Sequence, residues 1–281
     1  MRLSDAARIF LQARSLDSSP KTVESYALQY RLLQDALGDP VLAEITTPQL
    51  RQYLADAQSH LKASSLNNRI KALRSLWKWL VEEEYTDVNP MARIKEAKVP
   101  PPVPKALTSE EIELLRDACR TPREHALIEL FFATGARLNE LSHMNRTDID
   151  WQNRAVRVMG KGRKERECYF GHKAALWLQR YLAQRTDEDP ALFVTLRQPH
   201  RRMANHTLYG EVKRIARRIG LDYKVSPHTY RHSLATNLLD HGADVVVIQS
   251  LLGHSKPETT LRYLRLSGER RRLEYDRYFM Q

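Results

Sequence analysis

The sequence predicts a mainly α-helical protein with one small antiparallel β-sheet, divided into two domains. Three observations lead there. Apolar residues recur at spacings of three and four along most of the chain, which is the period of an amphipathic helix. Strand-like alternation is confined to positions 147–170. Four prolines in Val99-Pro100-Pro101-Pro102-Val103-Pro104 cannot continue a helix and favour an extended, semi-rigid spacer. The 281 residues suit two domains at about 150 residues each. The expected division is a helical domain at 1–98, a linker at 99–105 and a second domain at 106–281.

The first domain reads as four helices. Ser4 is placed to cap a helix containing Leu3, Ala7 and Phe10. Ser19-Pro20 pairs an N-cap with proline at the first helical position; Val23, Tyr26, Tyr30, Leu33 and Leu37 then follow helical spacing until Gly38 ends the run. Thr47-Pro48 opens a third helix by the same device. In the fourth, Leu66, Ile70, Leu73, Trp77 and Leu80 form an apolar stripe.

After the linker, Thr108-Ser109-Glu110-Glu111 has the form of a capping box. Thr121-Pro122 starts a helix that runs through Leu127, Leu130 and Phe131 to a turn at Thr134-Gly135. Val156 and Val158 alternate with Arg157, Gly160-Lys161-Gly162-Arg163-Lys164 makes a basic turn, and the strand returns over Glu167 to Phe170. Helical patterns resume at 173–185, 207–219, 228–240, 243–252, 257–264 and 268–280.

Composition narrows the function. With 28% charged and 42% hydrophobic residues the chain is an ordinary globular one, not collagen-like or largely disordered. Its longest apolar stretches, Val245–Ile248 and the segment around Phe131 and Phe132, fall far short of the roughly 20 residues that span a bilayer. Arg2, Asp5 and Arg8 interrupt any signal-peptide pattern. Cys119 and Cys168 make neither a disulfide framework nor a zinc cluster, and packing in a reducing cytoplasm is their expected role. The formal charge of +11 points to a polyanionic partner. The first 104 residues hold 14 basic and 12 acidic side chains, and the remainder 31 and 22, so the excess sits in the second domain.

Two basic faces suit nucleic acid. Asn67, Lys71, Arg74 and Lys78 run parallel to the apolar stripe of the fourth helix, and Asn and Arg suit base edges as Lys suits phosphates. Lys213, Arg214, Arg217 and Arg218 cluster opposite Val212, Ile215 and Ile219, placed to track phosphates or enter the major groove; a solvated face is the alternative for both.

Four segments of the second domain differ from core and from ordinary surface. They are Ala133-Thr134-Gly135-Ala136-Arg137-Leu138-Asn139-Glu140-Leu141, the hairpin Gly160-Lys161-Gly162, Ser226-Pro227-His228-Thr229-Tyr230-Arg231-His232, and Leu252-Gly253-His254-Ser255 continuing to Tyr263. His228 and Arg231, three apart, share a helical face. His228 and His232 stand at the spacing of a zinc pair, yet no glutamate follows His228 and no cysteine cluster accompanies it.

In this order and spacing the four segments resemble the active site of the tyrosine recombinases, the phage integrase family, and most closely its Xer-type members. The resemblance covers nearly the whole chain. It implies a SAM-like helical DNA-binding domain before a catalytic domain, the two forming a clamp around double-stranded DNA. Carried over, the family's first arginine is Arg137, with Glu140 as its supporting acid. The hairpin lysine is Lys161, the His-x-x-Arg pair is His228 and Arg231, the histidine of the LGH motif is His254, and the nucleophile is Tyr263. Many Xer-like proteins carry histidine two residues after the nucleophile; Arg265 stands there in this chain, a departure that leaves the catalytic set intact but argues against close assignment to the chromosomal Xer pair.

The implied chemistry fits these side chains. Two guanidiniums neutralise the extra charge of a pentavalent phosphorus, His254 adds a donor, His228 assists deprotonation of Tyr263, and Lys161 protonates the 5′-oxygen. Arginines take the place of metal ions, so no cofactor is expected. Arg163 and Lys164 beside the hairpin lysine are expected to bind DNA. The resemblance further implies four protomers on two specific sites, exchanging strands through a Holliday junction, with a C-terminal tail helix that docks on its own domain or on a neighbour. A type IB topoisomerase and a non-catalytic DNA-binding protein of this fold are the alternatives.

Overall fold

The computed structural model describes residues 1–99, 106–160 and 165–253, and the chain divides into two compact units, Met1–Pro102 and Val103–Gln281. The first unit is built from α1 (Leu3–Asp17), α2 (Pro20–Leu37), α3 (Thr47–Gln58) and α4 (Ala63–Glu82). The expected stripe of α4 is its buried face: Leu66, Ile70, Leu73, Trp77 and Leu80 all lie in the core, with Phe10, Leu33, Leu50 and Leu54 from the other helices. Tyr30, buried on α2, donates its hydroxyl to the carbonyl of Ala72 at 3.0 Å, which satisfies a polar group that burial would otherwise penalise.

The helix ends follow capping chemistry, with two corrections. Ser19 caps α2 by accepting from the Thr22 amide, and Gly38 closes it at φ +74°, a conformation that favours glycine. Ser4 does not cap α1. It sits one residue inside the helix, and its amide and hydroxyl both donate to the Asp39 carboxylate, at 2.7 and 2.8 Å, so the acid beyond the end of α2 satisfies the first turn of α1. Thr47 is likewise inside α3; Thr46 is the cap, in a capping box with Gln49, and the Thr47 hydroxyl donates to the Pro90 carbonyl at 2.8 Å.

The segment after α4 folds back over that helix. Met91 is fully buried. Asn67 fixes the strap with both ends of its amide, donating to the Ala97 carbonyl at 2.9 Å and accepting from the Ala97 N–H at 2.8 Å. Arg74 donates to Glu96 and to the Ile94 carbonyl, each at 2.9 Å.

The second unit contains α5 (Ser109–Asp117), α6 (Pro122–Thr134), α7 (Leu138–His143), then β1 (Ile149–Asp150), β2 (Ala155–Met159) and β3 (Glu165–Tyr169), and α8 (His172–Ala183), α9 (Asn205–Arg217), α10 (Pro227–Asp240) and α11 (Val245–Leu252). Thr108 and Glu111 form the expected capping box of α5. The three strands are antiparallel in the order β1-β2-β3. α6 is the central element. Ala126, Leu127, Ile128, Leu130 and Phe131 are all buried on it, as expected of a helix enclosed by protein on every side, and it packs against both α8 and α10. The six-residue α7 is an element that periodicity did not announce. Both cysteines are free and buried. The helical patterns at 257–264 and 268–280, and with them the tail, lie outside the described residues. No helix among those described is long and apolar enough to cross a membrane.

The Asn67 strap sets a first expectation. Asn67→Ala leaves the Ala97 N–H and carbonyl unpaired and lowers stability by about 1–3 kcal/mol, whereas Lys78→Ala on the exposed side of α4 changes it by less than about 0.5 kcal/mol. Urea unfolding followed by tryptophan fluorescence distinguishes the two.

Candidate active site

The site grows from the break between α6 and α7. The Thr134 hydroxyl donates to the Leu130 carbonyl at 2.6 Å and accepts from the Ala136 amide at 3.2 Å, which turns the chain sharply. Gly135 adopts φ +56°, and a β-carbon there would lie 2.9 Å from Leu252 Cδ2 and 3.0 Å from Leu234 Cδ2. Glycine is therefore required on two counts, for the left-handed backbone and for the close approach of α11. The next turn of chain delivers Arg137 to the start of α7. Glu140 accepts from the Arg137 amide at 2.8 Å and from its guanidinium Nη1 at 2.6 Å.

A second arginine shares that carboxylate. Arg166 on β3 donates from both terminal nitrogens, each at 2.8 Å, one to each oxygen of Glu140. The carboxylate is almost wholly buried, 3% exposed. Burial alone would raise its pKa, but the hydrogen bonds from Arg166 and from the Arg137 backbone, with the charges behind them, outweigh this and hold it down at about 2. Arg166 belongs to none of the four sequence segments described above. The available signal was strand parity: Arg166 stands two residues before buried Cys168 on β3, on the inward face, and an arginine there requires an acid.

The third guanidinium comes from α10. Ser226 caps that helix by accepting from the Thr229 amide, and Pro227 opens it. His228 is exposed in its first turn. Arg231, one turn on and only 5% exposed, donates to the Gly135 carbonyl at 2.9 Å and to that of Leu252. Burial, aided by His228 and Arg231, holds the His232 imidazole below its usual range.

The three arginines meet at one helix end. Arg166 Nε reaches the Leu251 carbonyl at 3.4 Å, Arg231 the carbonyl of Leu252, and Arg137 Nη2 that of Gly253 at 3.1 Å. The final carbonyls of a helix have no partner within it and form the negative end of its dipole, so three cations here both satisfy and fix the end of α11. Gly253 closes the helix at φ +62°, where a β-carbon would lie 2.8 Å from Arg166 Cδ. His254 follows it directly in sequence. Lys161, Arg163, Lys164, His254 and Tyr263 lie outside the described residues.

The two basic faces are divided by their local partners. On α4, Asn67 and Arg74 hold the strap, Lys71 lies 3.3 Å from Glu96, and Lys78 lies 3.4 Å from Glu82. On α9, Arg218 donates to the Ala118 carbonyl at 2.6 Å and to buried Glu124 at 2.6 and 2.9 Å, and Arg214 reaches Glu124 at 3.0 Å. These two arginines brace α9 against the start of α6 because a buried carboxylate must be paired. Lys213 donates to the Asp222 carbonyl, and Arg217, 73% exposed, stands 3.6 Å from Asp222.

Residues 105–270 match the phage integrase family, and residues 11–84 match the phage integrase N-terminal SAM-like domain. The chain is 36% identical over 237 residues to tyrosine recombinase XerD of Ralstonia nicotianae, covering 79% of this chain and 76% of that one. It is 33% identical over 277 residues to tyrosine recombinase XerC of Myxococcus xanthus, covering 92% and 91%. Among solved structures, the Tn1549 transposon integrase in complex with transposon right end DNA superposes with a TM-score of 0.81 at 19% identity over 99% of each chain. A lambda integrase dimer bound to a core site gives 0.78 at 20% identity, over 92% of this chain and 97% of that one.

The Glu140 cluster carries a pH dependence of known sign. A carboxyl lowered from 4.5 to about 2 on folding stabilises the native state by about 3 kcal/mol above pH 4.5, and this contribution disappears as pH falls through 2. Glu140→Gln is therefore expected to be destabilised by about that amount at pH 7, and its deficit against the unsubstituted protein should shrink steadily on acidification below pH 4.5. Denaturant unfolding at a series of pH values checks this.

Proposed function

The chain belongs to the phage integrase family of tyrosine recombinases, and we propose that it is a site-specific recombinase which cuts and rejoins duplex DNA through a 3′-phosphotyrosine on Tyr263. The observation that carries the reading is the convergence of Arg137 and Arg231 on the consecutive carbonyls of Gly253 and Leu252, one residue before His254. Two fixed guanidiniums at one point suit a phosphodiester, whose negative charge repels nucleophiles.

In the proposed step the Tyr263 hydroxyl oxygen attacks phosphorus and the bond to the 5′-oxygen breaks. Tyrosine is a weak nucleophile at its ordinary pKa of about 10, so its proton passes to His228 as the bond forms. Arg137 and Arg231 neutralise the non-bridging oxygens as charge accumulates, with His254 as a further donor. Lys161 gives its proton to the departing 5′-oxygen. The phosphotyrosine conserves the bond energy, and a 5′-hydroxyl from another strand reverses the step. These cations supply what a metal ion would otherwise supply, so the reaction is proposed to need none.

Four protomers acting on two sites, with exchange through a Holliday junction, complete the proposal; the similarity to proteins named tyrosine recombinase supports its recombinase part. The DNA contacts are proposed to come from Lys71 and Lys78 on α4, Arg163 and Lys164 beside the lysine turn, and Lys213 and Arg217 on α9. Asn67, Arg74, Arg214 and Arg218 support those surfaces through the contacts described above. The protein is proposed to work in the cytoplasm, where its DNA lies.

Two outcomes test the chemistry. Tyr263→Phe should bind a half-site as the unsubstituted protein does and trap no covalent adduct on a nicked suicide substrate; an adduct in that variant would remove Tyr263 from its role. Lys161→Ala should lose cleavage of an ordinary phosphodiester by about 100-fold or more and recover it on a substrate with a 5′-sulfur leaving group, which departs without a proton. Recovery confined to Lys164→Ala would exchange the two roles.

A further inference from the structure

Within the arginine cluster at the end of α11, Arg166 is the cation to which the proposed chemistry gives no direct role. It donates to the same two Glu140 oxygens that Arg137 uses, carried by the strand that follows the lysine turn. Its side chain is 13% exposed, its Nε lies on the last turn of α11, and its Cδ occupies the space that a side chain at residue 253 would need. It thus acts through other groups of the protein.

What it acts on is the plane of a carboxylate. Glu140 gives Oε1 to the Arg137 guanidinium and Oε2 to the Arg137 amide, an arrangement that requires one rotation of the carboxyl group. A guanidinium bonded in parallel to both oxygens fixes that rotation; a single ammonium would not. We propose that Arg166 is a positioning residue for strand cutting: it locks the Glu140 carboxylate, and through it holds the Arg137 guanidinium where the scissile phosphate is neutralised. The bond to Leu251 places the same brace on the helix end that anchors Arg231. The inference rests on the reading of Arg137 as a neutraliser of phosphate charge.

That dependence supplies the test. In a methylphosphonate substrate one charged non-bridging oxygen is replaced by a methyl group, so the reacting centre places less demand on Arg137. Arg166→Lys retains the charge and the aliphatic stem but loses the fork. At saturating DNA it should cut the ordinary phosphodiester about 10- to 100-fold more slowly, with half-site affinity unchanged, and most of that deficit should close on the methylphosphonate. An equal deficit on both substrates, or none on the ordinary one, overturns the proposal, because a general scaffold does not discriminate by phosphate charge. Arg137→Ala, assayed in parallel, should also recover on the methylphosphonate. If it does not, the reading of Arg137 fails and takes the proposal with it; if it does while Arg166→Lys does not, the proposal alone fails. Thermal melts followed by circular dichroism accompany each assay. Should the lysine variant melt below the assay temperature, Arg166→Gln, which is uncharged and lacks the fork, gives the same comparison in the cold.

Discussion

Every α-helix ends in carbonyls that the helix itself cannot satisfy, and at the end of α11 three consecutive ones are taken by Arg166, Arg231 and Arg137. Each of these arginines comes from a different element, so the helix end is the point at which β3, α10 and the α6–α7 turn are brought into register. The arrangement is reciprocal. The carbonyls orient the guanidiniums, and the guanidiniums hold the helix whose next residue in sequence is His254. Two glycines make the approach possible. Gly135 lets α11 reach the turn before Arg137, and Gly253 leaves room for the stem of Arg166.

Electrostatics reinforces this constraint. Glu140 is the buried acid between Arg137 and Arg166, and its lowered pKa keeps it charged wherever the protein is folded at ordinary pH. Breaking a buried ion pair by removing one partner is far costlier than the pair's net contribution, which makes the cluster stiff to substitution. The proposed phosphodiester site would need that stiffness, because preorganised charge stabilises a transition state without reorganising during the reaction. The wider unit follows the same rule. Glu124 gathers Arg214 and Arg218, and Glu129 holds Arg116 at 2.6 Å, so the buried acids of α6 are paired.

Much of this was legible in the sequence, for identifiable reasons. Capping chemistry is local, so Ser19-Pro20, Thr108 with Glu111, and Thr121-Pro122 marked true helix starts. The α4 stripe is legible because one residue in three or four repeats over about four turns. Arg137 is marked by the Thr134-Gly135 break before it and the His228–Arg231 pair by its helical spacing, whereas Glu140 is marked only by the family resemblance. Arg166 did not, because its partner lies 26 residues away in the chain and only strand parity hints that it faces inward. The same limit explains the basic faces. Asn67 and Arg74 have side chains suited to DNA but are engaged by the strap at Ile94–Ala97, and of the α9 cluster Arg214 and Arg218 pair with Glu124 while Arg217 stays exposed. Ser4 failed as a cap because Asp39, distant in sequence, reached it first. Polar residues declare their type in a sequence, but their partners are chosen in three dimensions.

Of the arginines gathered at the end of α11, Arg137 and Arg231 are proposed to bind the scissile phosphate, with Arg166 behind them on Glu140. A crystal structure of the Tyr263→Phe variant bound to an intact half-site measures it directly. The scissile phosphate is expected beside α11, with Arg137 and Arg231 each donating to its non-bridging oxygens at about 3 Å and the Glu140–Arg166 pair intact. A scissile phosphate held elsewhere, by other cations and beyond the reach of both guanidiniums, would contradict it.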